Sequence, residues 1–437
     1  QAPETGPYSQ DVWAPELHYL NGKWHIYFAA SDGQNKNHLA YVLQSKTKDP
    51  LGDYELHGPF QTGDSEEENL YAIWSGWDGP ETDQQFLYIA EMASPTKLAG
   101  KRVRICNNLD YPWEKTEGGA NGRGLNEGPQ VLKNGKHTYL IYSCGASWLP
   151  SYKLGQLELT GDDPLDPASW KKRKGSIFQS SKETFGVGHS CFVKSPNGSE
   201  WWHIFHAKRD PKPGWRRAIF VQPFKFHRDG RPLFGRPFPS GQVHPRPAGE
   251  KTLQLNPPYH SDLRSDHSLY GHHQFYQVTD DGLRLGSPQS KLINDYRSGE
   301  KIVLHDQAPQ DFTASVTLDF HNNRKGRGAG LLFRLTAPSV GYDAHRGYFV
   351  GIKPSQNSVL FGKMDGSGWK ELRRITLPID VSKKHQLSVT GIGPEFTISL
   401  NGSQLLTQTD KDYQKGTIGL RVVDIPMTFS DLKITKP

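Results

Sequence analysis

The sequence predicts an all-β protein built from many short strands. Two features of its composition favour strands and turns over helices: 45 Gly and 31 Pro residues among 437, and an aromatic fraction of 11 %. A third feature is the recurrence of strands that alternate aromatic and aliphatic residues. A chain of this length exceeds one ordinary hydrophobic core, so we expect two domains.

Strands rich in aromatic residues recur four times before residue 250. Each one follows a polar turn, alternates aromatic with aliphatic residues and ends on a small or polar residue. Several short strands per unit, repeated along a chain, are typical of a β-propeller. A plain sandwich or barrel would account for the strands but not for their recurring aromatic ends. The four strands are GKWHIYFAA (22–30), NLYAIWSG (69–76), GKHTYLIYSC (135–144) and EWWHIFHA (200–207).

A domain boundary is predicted where Pro and Gly crowd together in the segment FGRPFPSGQVHPRPAGEKTLQLNPP. Beyond it, segments such as DFTASVTLDF and HQLSVTGI alternate apolar and polar residues, with turns between them. That pattern is typical of a β-sandwich. We therefore assign residues 1–247 to a propeller domain and residues 248–437 to a C-terminal β-sandwich domain.

The charge pattern and hydropathy exclude several classes of partner. The formal net charge of +6 is spread along the chain, and no basic helix or stacking motif accompanies it, so nucleic acid is not an expected partner. No apolar run approaches the ~18 residues of a membrane-spanning helix. No signal peptide is visible in the opening segment QAPETGPYSQ.

The cysteines and two short motifs bear on the compartment. Three cysteines, Cys106, Cys144 and Cys191, are too few for a disulfide scaffold. Cys144 and Cys191 lie in apolar, strand-like segments, where we expect them to be buried. The glycosylation motifs Asn197–Ser199 and Asn401–Ser403 lie in predicted hairpin turns and give weak support to a secreted protein.

One carboxylate stands out because Glu127 lies between Asn126 and the rigid dipeptide Gly128–Pro129, at the start of an apolar strand. A carboxyl group held in one place can act as a general acid when partial burial or a neighbouring carboxylate lets it keep its proton near neutral pH. Glu127 is therefore a candidate general acid. A solvated carboxylate in an ordinary turn is the alternative.

Five motifs, taken in order, resemble those of glycoside hydrolase family 43. The resemblance runs from about Trp13 to Gly235. It implies a five-bladed β-propeller whose first blade is incomplete in this chain. The C-terminal part is similar, through less specific motifs, to concanavalin-like or laminin-G-like β-sandwich accessory domains. The motifs are VWAPELHYLNGKWHIYFAA, AIWSGW, LNEGPQVLKNG, GVGHSCFVKSPNGSEWWHIFHA and RAIFVQPFKFHRDGRPLFG.

The resemblance implies three acids, of which this sequence matches one well. Glu127 corresponds to the general acid that protonates the leaving oxygen. The general base is an Asp on a strand upstream of Trp13, so we expect it before residue 1; Asp11 matches that position poorly. The third acid orients the general acid and belongs to an Ile-Asp-Gly-Thr motif that is absent. Asp64 is its nearest candidate and Asp78 the next, with a charged surface loop as the alternative for both.

The resemblance also implies residues that contact the sugar. His189 corresponds to a histidine that faces the propeller axis and, in some members, helps to hold a hydrated calcium; a core histidine is the alternative. Arg217, or its neighbour Arg216, corresponds to an arginine that reaches sugar hydroxyls. Trp13 and Trp77 are candidate aromatic platforms, with structural packing as the alternative.

The function implied by the resemblance is that of an exo-acting glycoside hydrolase. It would release L-arabinofuranose from arabinoxylan or arabinan with inversion, and it would be secreted and monomeric. The resemblance implies no required cofactor, with a structural calcium on the propeller axis in some members, and the partner is plant cell-wall polysaccharide, with no nucleic acid and no membrane. A β-xylosidase of the same family and a non-catalytic carbohydrate-binding relative stay open as alternatives. The second follows from the missing base, unless the sequence is an incomplete record of a working enzyme.

Overall fold

The structure is a computed structural model whose described residues form two compact units. The first unit takes in residues 1–193, 201–214 and 221–237, and the second takes in 194–200, 215–220 and 238–437. The described residues are 3–34, 37–59, 70–79, 84–115, 124–208, 210–239, 242, 244–251, 253–271, 276–286, 299–325, 328–341, 343–366, 368–424 and 426–437.

Four small antiparallel sheets follow one another along the first half of the chain, and we call them blades 1 to 4. In blades 1, 3 and 4 the strands are hydrogen-bonded in sequence order, and in blade 2 the third and fourth strands both pair with the second. Blade 1 contains β1 (Gln10–Leu20), β2 (Lys23–Ser31), β3 (Leu39–Ser45) and β4 (Tyr54–His57); blade 2 contains β5 (Leu70–Trp77), β6 (Gln85–Ser94), β7 (Lys97–Leu98) and β8 (Val103–Cys106); blade 3 contains β9 (Asn126–Asn134), β10 (His137–Cys144), β11 (Lys153–Leu159) and β12 (Trp170–Lys172); blade 4 contains β13 (Phe185–Lys194), β14 (Trp201–Lys208), β15 (Arg217–Phe226) and β16 (Pro232–Leu233).

The prediction of an all-β chain with a propeller-like arrangement is confirmed by these four blades. Three of the predicted aromatic strands are the second strands of their blades, β2, β10 and β14. The remaining segment, NLYAIWSG, contributes β5, the first strand of blade 2, whose second strand is β6. Both strands of that hairpin alternate aromatic and aliphatic residues, so the sequence pattern does not separate them.

Blades 2 and 3 are joined by an apolar cluster and by a hydrogen bond between their first strands, β5 and β9. Leu87 on β6 and Leu140 on β10 belong to one buried cluster that joins blades 2 and 3. The Ser75 hydroxyl on β5 donates to the backbone carbonyl of Asn126 on β9, at 2.7 Å. These contacts bring the first strands of blades 2 and 3 together.

The second unit is built around two larger antiparallel sheets. One sheet has eight strands in the order β19-β20-β31-β22-β27-β28-β29, with β17 also paired to β31, and the other has seven in the order β18-β21-β30-β23-β24-β25-β26. The strands are β17 (Tyr259–His260), β18 (His267–Tyr270), β19 (Tyr276–Thr279), β20 (Gly282–Leu285), β21 (Lys301–Leu304), β22 (Phe312–Asp319), β23 (Gly328–Thr336), β24 (Arg346–Lys353), β25 (Ser358–Asp365), β26 (Trp369–Thr376), β27 (His385–Ile392), β28 (Glu395–Leu400), β29 (Ser403–Thr409), β30 (Thr417–Val423) and β31 (Met427–Thr435).

One continuous hydrophobic cluster receives side chains from both of these sheets. The ring of Phe333 on the seven-stranded sheet lies 6.1 Å from Phe312 and 5.3 Å from Phe396 on the other sheet, measured between centroids. Strands such as β22 alternate buried and half-buried residues, as expected when one face of a sheet covers a core.

The three cysteines are free thiols, of which Cys106 and Cys144 are buried. The prediction of burial was wrong for Cys191, which is exposed. Its neighbour on β13, Ser190, is buried and hydrogen-bonds to His203 at 2.7 Å, and successive strand residues face opposite sides. Within the described ranges, no helix is long and apolar enough to cross a membrane.

Candidate active site

Glu127 lies on a β-bulge at the edge of blade 3. In the pairing of β9 with β10, Glu127 is opposite Ser143 and Gln130 is opposite Ile141, so Gly128 and Pro129 together face the single residue Tyr142. The arrangement suits the local sequence, because Gly128 adopts a left-handed φ of +54° and a proline is tolerated at a bulge on an edge strand. The bulge breaks the regular pairing immediately after the acid.

The residue after the acid must be small because a histidine ring lies against it. A Cβ atom at Gly128 would lie 3.1 Å from Nε2 of His189 and 3.2 Å from two ring carbons. His189 itself has a left-handed φ of +53°, and its backbone N–H donates to the Ser143 hydroxyl at 2.7 Å. Blade 4 therefore closes on blade 3 beside Glu127, and the His189 ring lies against the residue that follows the acid. The predicted place of His189 on the propeller axis stays a prediction.

A buried tyrosine holds the Glu127 carboxyl group. The Tyr152 hydroxyl donates to Oε1 of Glu127 at 2.7 Å, and the tyrosine is fully buried whereas the acid is half-buried. Nδ1 of His189 lies 3.5 Å from the same hydroxyl oxygen. Tyr152 was not identified from the sequence, where it lies in the uninformative segment WLPSYK.

The ring of Tyr152 is held on two sides. It stacks on the imidazole of His206 with centroids 5.4 Å apart and an interplanar angle of 1°. On another side it lies against the backbone of Gly188, where an added Cβ would come within 2.2 Å of the tyrosine Cε1. A glycine is thus required at position 188 because the aromatic ring occupies the space of a side chain.

A second buried carboxylate, Glu114, supports the strand that carries Glu127. It receives hydrogen bonds from the Tyr142 hydroxyl at 2.8 Å and from the Asn126 amide at 3.2 Å. The ammonium group of Lys172 lies 2.9 Å from its Oε2 and 2.9 Å from Asp110. Because three donors converge on the carboxyl group, we treat Glu114 as ionised and paired with Lys172.

Burial and charge act in opposite directions on this pair. Burial raises the pKa of the Glu114 carboxyl, and the Lys172 ammonium and the hydrogen bonds oppose that shift. Burial alone would lower the pKa of Lys172, but the neighbouring Cys106 and Glu114 raise it above the usual lysine value. The sequence offered one weak signal for Glu114, an acid within the aromatic turn YPWEK.

Trp13 lies on a bulge of the same kind in blade 1. It pairs with Ala29, and Glu16 pairs with Tyr27, so Ala14 and Pro15 together face one residue of β2. The indole is 46 % exposed and stacks on the His38 ring, with centroids 3.8 Å apart. Its predicted contact with a sugar stays a prediction, and its exposure leaves room for one.

Asp11 precedes that bulge and is engaged locally. Its carboxylate accepts a hydrogen bond from the Ser31 hydroxyl at 3.1 Å, and its carbonyl lies 3.0 Å from Nε2 of His38. These contacts fix the start of β1. They give no evidence that the Asp11 carboxylate acts as the general base.

The structure places the remaining candidate residues at separate positions in the first half of the chain, apart from Asp64, which lies outside the described residues. Asp78 forms an exposed ion pair with Arg104 at 3.2 Å and accepts a hydrogen bond from the Tyr88 hydroxyl at 3.1 Å; its role as the third acid stays a prediction. Trp77 ends β5 and is half-buried, and its indole nitrogen has no hydrogen-bond partner among the described residues. Arg217 begins β15, where its guanidinium lies 4.8 Å from the centroid of the Trp215 ring.

Among the described residues, the surroundings of His189 show no cluster of metal ligands. Calcium takes six to eight oxygen ligands, whereas the groups that contact this imidazole are one tyrosine hydroxyl, a glycine backbone and the ring of His206. In the part of the chain that the structure describes, no group of three or more His, Cys, Asp or Glu side chains could hold a metal. Calcium at His189 therefore stays a prediction from the resemblance alone.

Comparisons with known proteins agree on one group of relatives. The extracellular exo-α-(1→5)-L-arabinofuranosidase of Streptomyces avermitilis is 30 % identical over 269 residues, which are 55 % of this chain and 54 % of that protein. The α-L-arabinofuranosidase 43 of Humicola insolens is 32 % identical over the same shares. This chain thus spans about half the length of these two curated relatives.

A solved structure is also similar over about half of the chain. The crystal structure of an α-L-arabinofuranosidase from Lactobacillus brevis shares 32 % identity, covering 55 % of this chain and 80 % of that chain, with a TM-score of 0.49. The sequence profile described as glycosyl hydrolases family 43 matches residues 1–232. Because that match takes in more than half of the 437 residues, the chain belongs to glycosyl hydrolases family 43.

Proposed function

We propose that this protein is an exo-acting glycoside hydrolase that releases L-arabinofuranose from arabinoxylan or arabinan by an inverting mechanism, with Glu127 as its general acid. In an inverting hydrolysis the acid protonates the leaving oxygen while a second carboxylate activates a water molecule on the opposite face of the sugar. The two carboxyl groups are then roughly 6.5–9.5 Å apart. We assign no general base among the described residues.

The observation that carries the proposal is the setting of Glu127. The acid is half-buried on a bulge between blades 3 and 4, held by the Tyr152 hydroxyl and flanked by His189. A carboxyl group with one oxygen held by a neutral donor keeps its second oxygen for a proton. The choice of arabinose over xylose is supported by the two curated relatives, which are arabinofuranosidases.

The test is the release of arabinose from polysaccharide by matched variants. Glu127→Gln should lower kcat/KM on arabinoxylan by about 10²–10⁴-fold, the usual contribution of a general acid. The control is Glu158→Gln, which removes a carboxylate of the same blade that pairs with His137 at 3.1 Å, and it should keep wild-type turnover. Full activity of Glu127→Gln on the natural polymer would refute the assignment of the acid.

Two product analyses separate the remaining alternatives. Proton NMR of the sugar released in the first minutes should show the anomer opposite to that of the substrate, as inversion requires. Release of xylose in place of arabinose would identify a β-xylosidase. Binding to arabinoxylan with no release of either sugar would identify a carbohydrate-binding relative.

We also propose the finer features of architecture and setting that the resemblance implies. The first domain, residues 1–247, is assigned to a five-bladed propeller, and residues 248–437 to a concanavalin-like or laminin-G-like β-sandwich; the four blades and the shared core of the two larger sheets support these assignments. Secretion is supported by the name of the Streptomyces relative and by the exposed Asn197 and Asn401 of the glycosylation motifs. Trp13, Trp77 and Arg217 are the proposed sugar contacts.

A further inference from the structure

We propose that Tyr152 is a positioning residue for the general acid, which holds Oε1 of Glu127 so that Oε2 delivers the proton to the leaving oxygen. This inference rests on the proposed function. It adds a neutral hydroxyl to the proposed machinery.

The hydrogen bond between Tyr152 and Glu127 is short and joins distant parts of the chain. The distance of 2.7 Å between the Tyr152 hydroxyl and Oε1 of Glu127 is that of a well-formed O–H···O bond. A carboxyl group has two oxygens, and fixing one of them fixes the plane and direction of the other. The bond joins residues 25 positions apart, so it is a tertiary contact and not a property of the bulge.

The Tyr152 hydroxyl is held in place by the packing around its ring. Tyr152 is fully buried, stacked on His206 and pressed against the backbone of Gly188. A hydrogen bond offsets the cost of burying a tyrosine hydroxyl, and Glu127 accepts that bond from Tyr152. The carboxyl group is therefore oriented by a group that is itself immobile, which is the condition for catalytic pre-organisation.

In the proposed reaction Glu127 transfers a proton and Tyr152 does not. Protonated Glu127 gives the proton on Oε2 to the glycosidic oxygen as the bond from that oxygen to the sugar carbon breaks, and Glu127 is left as a carboxylate. A water molecule bonds to the same carbon from the opposite face and gives its proton to the second carboxylate. Tyr152 keeps its own proton and remains the donor to Oε1 throughout. The hydroxyl therefore changes the direction of the acid and not the number of protons transferred.

The side chains around the Glu127 carboxyl and its tyrosine come from several elements. Tyr152 precedes β11, His189 lies on β13, and His206 on β14 stacks on both rings. Of these residues, Tyr152 is the one with a hydrogen bond to Glu127 among the described contacts. It is therefore the side chain whose removal tests the orientation of the acid.

The experiment compares two isosteric substitutions in the full chain. Tyr152→Phe removes the hydroxyl that contacts Glu127, and Tyr139→Phe removes the hydroxyl of another fully buried tyrosine in the same blade, one with no hydrogen-bond partner among the described residues. Each variant is assayed for kcat on an arabino-oligosaccharide, whose leaving group needs protonation, and on an aryl arabinofuranoside with a good leaving group, which does not.

The expected result is a loss that depends on the leaving group. Tyr152→Phe should lose about 10- to 100-fold in kcat on the oligosaccharide and less than about threefold on the aryl glycoside, whereas Tyr139→Phe should keep both activities. A role confined to folding would lower both activities of Tyr152→Phe by the same factor, because it lowers only the amount of active protein.

The outcomes separate this inference from the proposed function. If Tyr152→Phe lost the same factor on both substrates, or lost nothing on the oligosaccharide, the inference would be overturned. The proposed function would still stand, provided that the wild-type protein releases arabinose. A wild-type protein and a Tyr139→Phe variant that release no arabinose from either substrate would overturn the proposed function, and the inference with it.

Discussion

Blades 1 and 3 use the same backbone device to present different side chains. In both, the edge strand carries a two-residue bulge whose first residue is left-handed and whose second is proline: Ala14–Pro15 in blade 1 and Gly128–Pro129 in blade 3. The residue before the bulge is Trp13 in one case and Glu127 in the other. The comparison teaches that the bulge sets where a side chain is placed, while the residue type sets its chemistry.

The surroundings of the two bulges differ as much as the side chains do. Glu127 is held by the fully buried Tyr152, and the strand behind it rests on the buried pair of Glu114 and Lys172. Trp13 is half-exposed and stacks on His38, which is also near the surface. A chemical group that must be oriented is thus enclosed, whereas an aromatic face that would meet a ligand is left accessible.

The largest expected effect tests the support behind β9. Glu114→Ala leaves the Lys172 ammonium, 10 % exposed, with only Asp110 to compensate it, and removal of one partner of a buried ion pair should cost about 3 kcal/mol of unfolding free energy. Chemical denaturation of the two proteins measures the difference.

A surface pair provides the control for that prediction. Glu250→Ala breaks the exposed contact with Arg246 at 3.2 Å and should cost less than about 0.5 kcal/mol. Equal costs for the two variants would show that blade 3 is no better anchored than the surface.

The next effect tests the bulge that carries the acid. Gly128→Ala combines a left-handed backbone with a Cβ that would meet the His189 ring at 3.1 Å, so we expect a cost of about 2–3 kcal/mol and a clear fall in turnover. Gly135→Ala is the matched variant, since Gly135 has a similar φ of +57° but nothing within 4 Å of its added Cβ. It should cost about 1 kcal/mol, from the backbone alone.

The interpretation depends on the difference between these two glycines. Thermal unfolding gives the stabilities, and arabinose release gives the turnover of the folded fraction. If Gly128→Ala behaved like Gly135→Ala in both measurements, the close approach of blade 4 to the acid would not constrain the site.

The smallest effect tests blade 1. Trp13→Ala should raise KM for arabino-oligosaccharides about tenfold, or about 1.4 kcal/mol, with kcat little changed, because it removes a contact made equally in the ground state and the transition state. Trp24→Ala is the control, since that indole donates to the carbonyl of Lys48 at 3.0 Å at the other end of the blade. An unchanged KM in Trp13→Ala would leave this tryptophan a packing residue.

The local motifs could be interpreted from the sequence because their information lies in adjacent residues. Pro129 and Gly128 indicated a fixed turn beside Glu127, and the structure places a bulge there. Aromatic alternation predicted the strands, although it could not separate the first strand of blade 2 from the second. The apolar segment around Cys191 predicted that this thiol is buried, and that prediction was wrong. Which side of a strand faces the core depends on what packs against the strand.

The sequence by itself determined the strand-rich architecture, the repeating blades and the acid on its rigid turn, since propensity, alternation and turn chemistry act between neighbouring residues. Only the tertiary structure decided that Tyr152 would meet Glu127 and that Glu114 would pair with Lys172, 58 residues away. Contacts of this kind depend on which strands lie side by side, and that is settled by the packing of whole blades against one another.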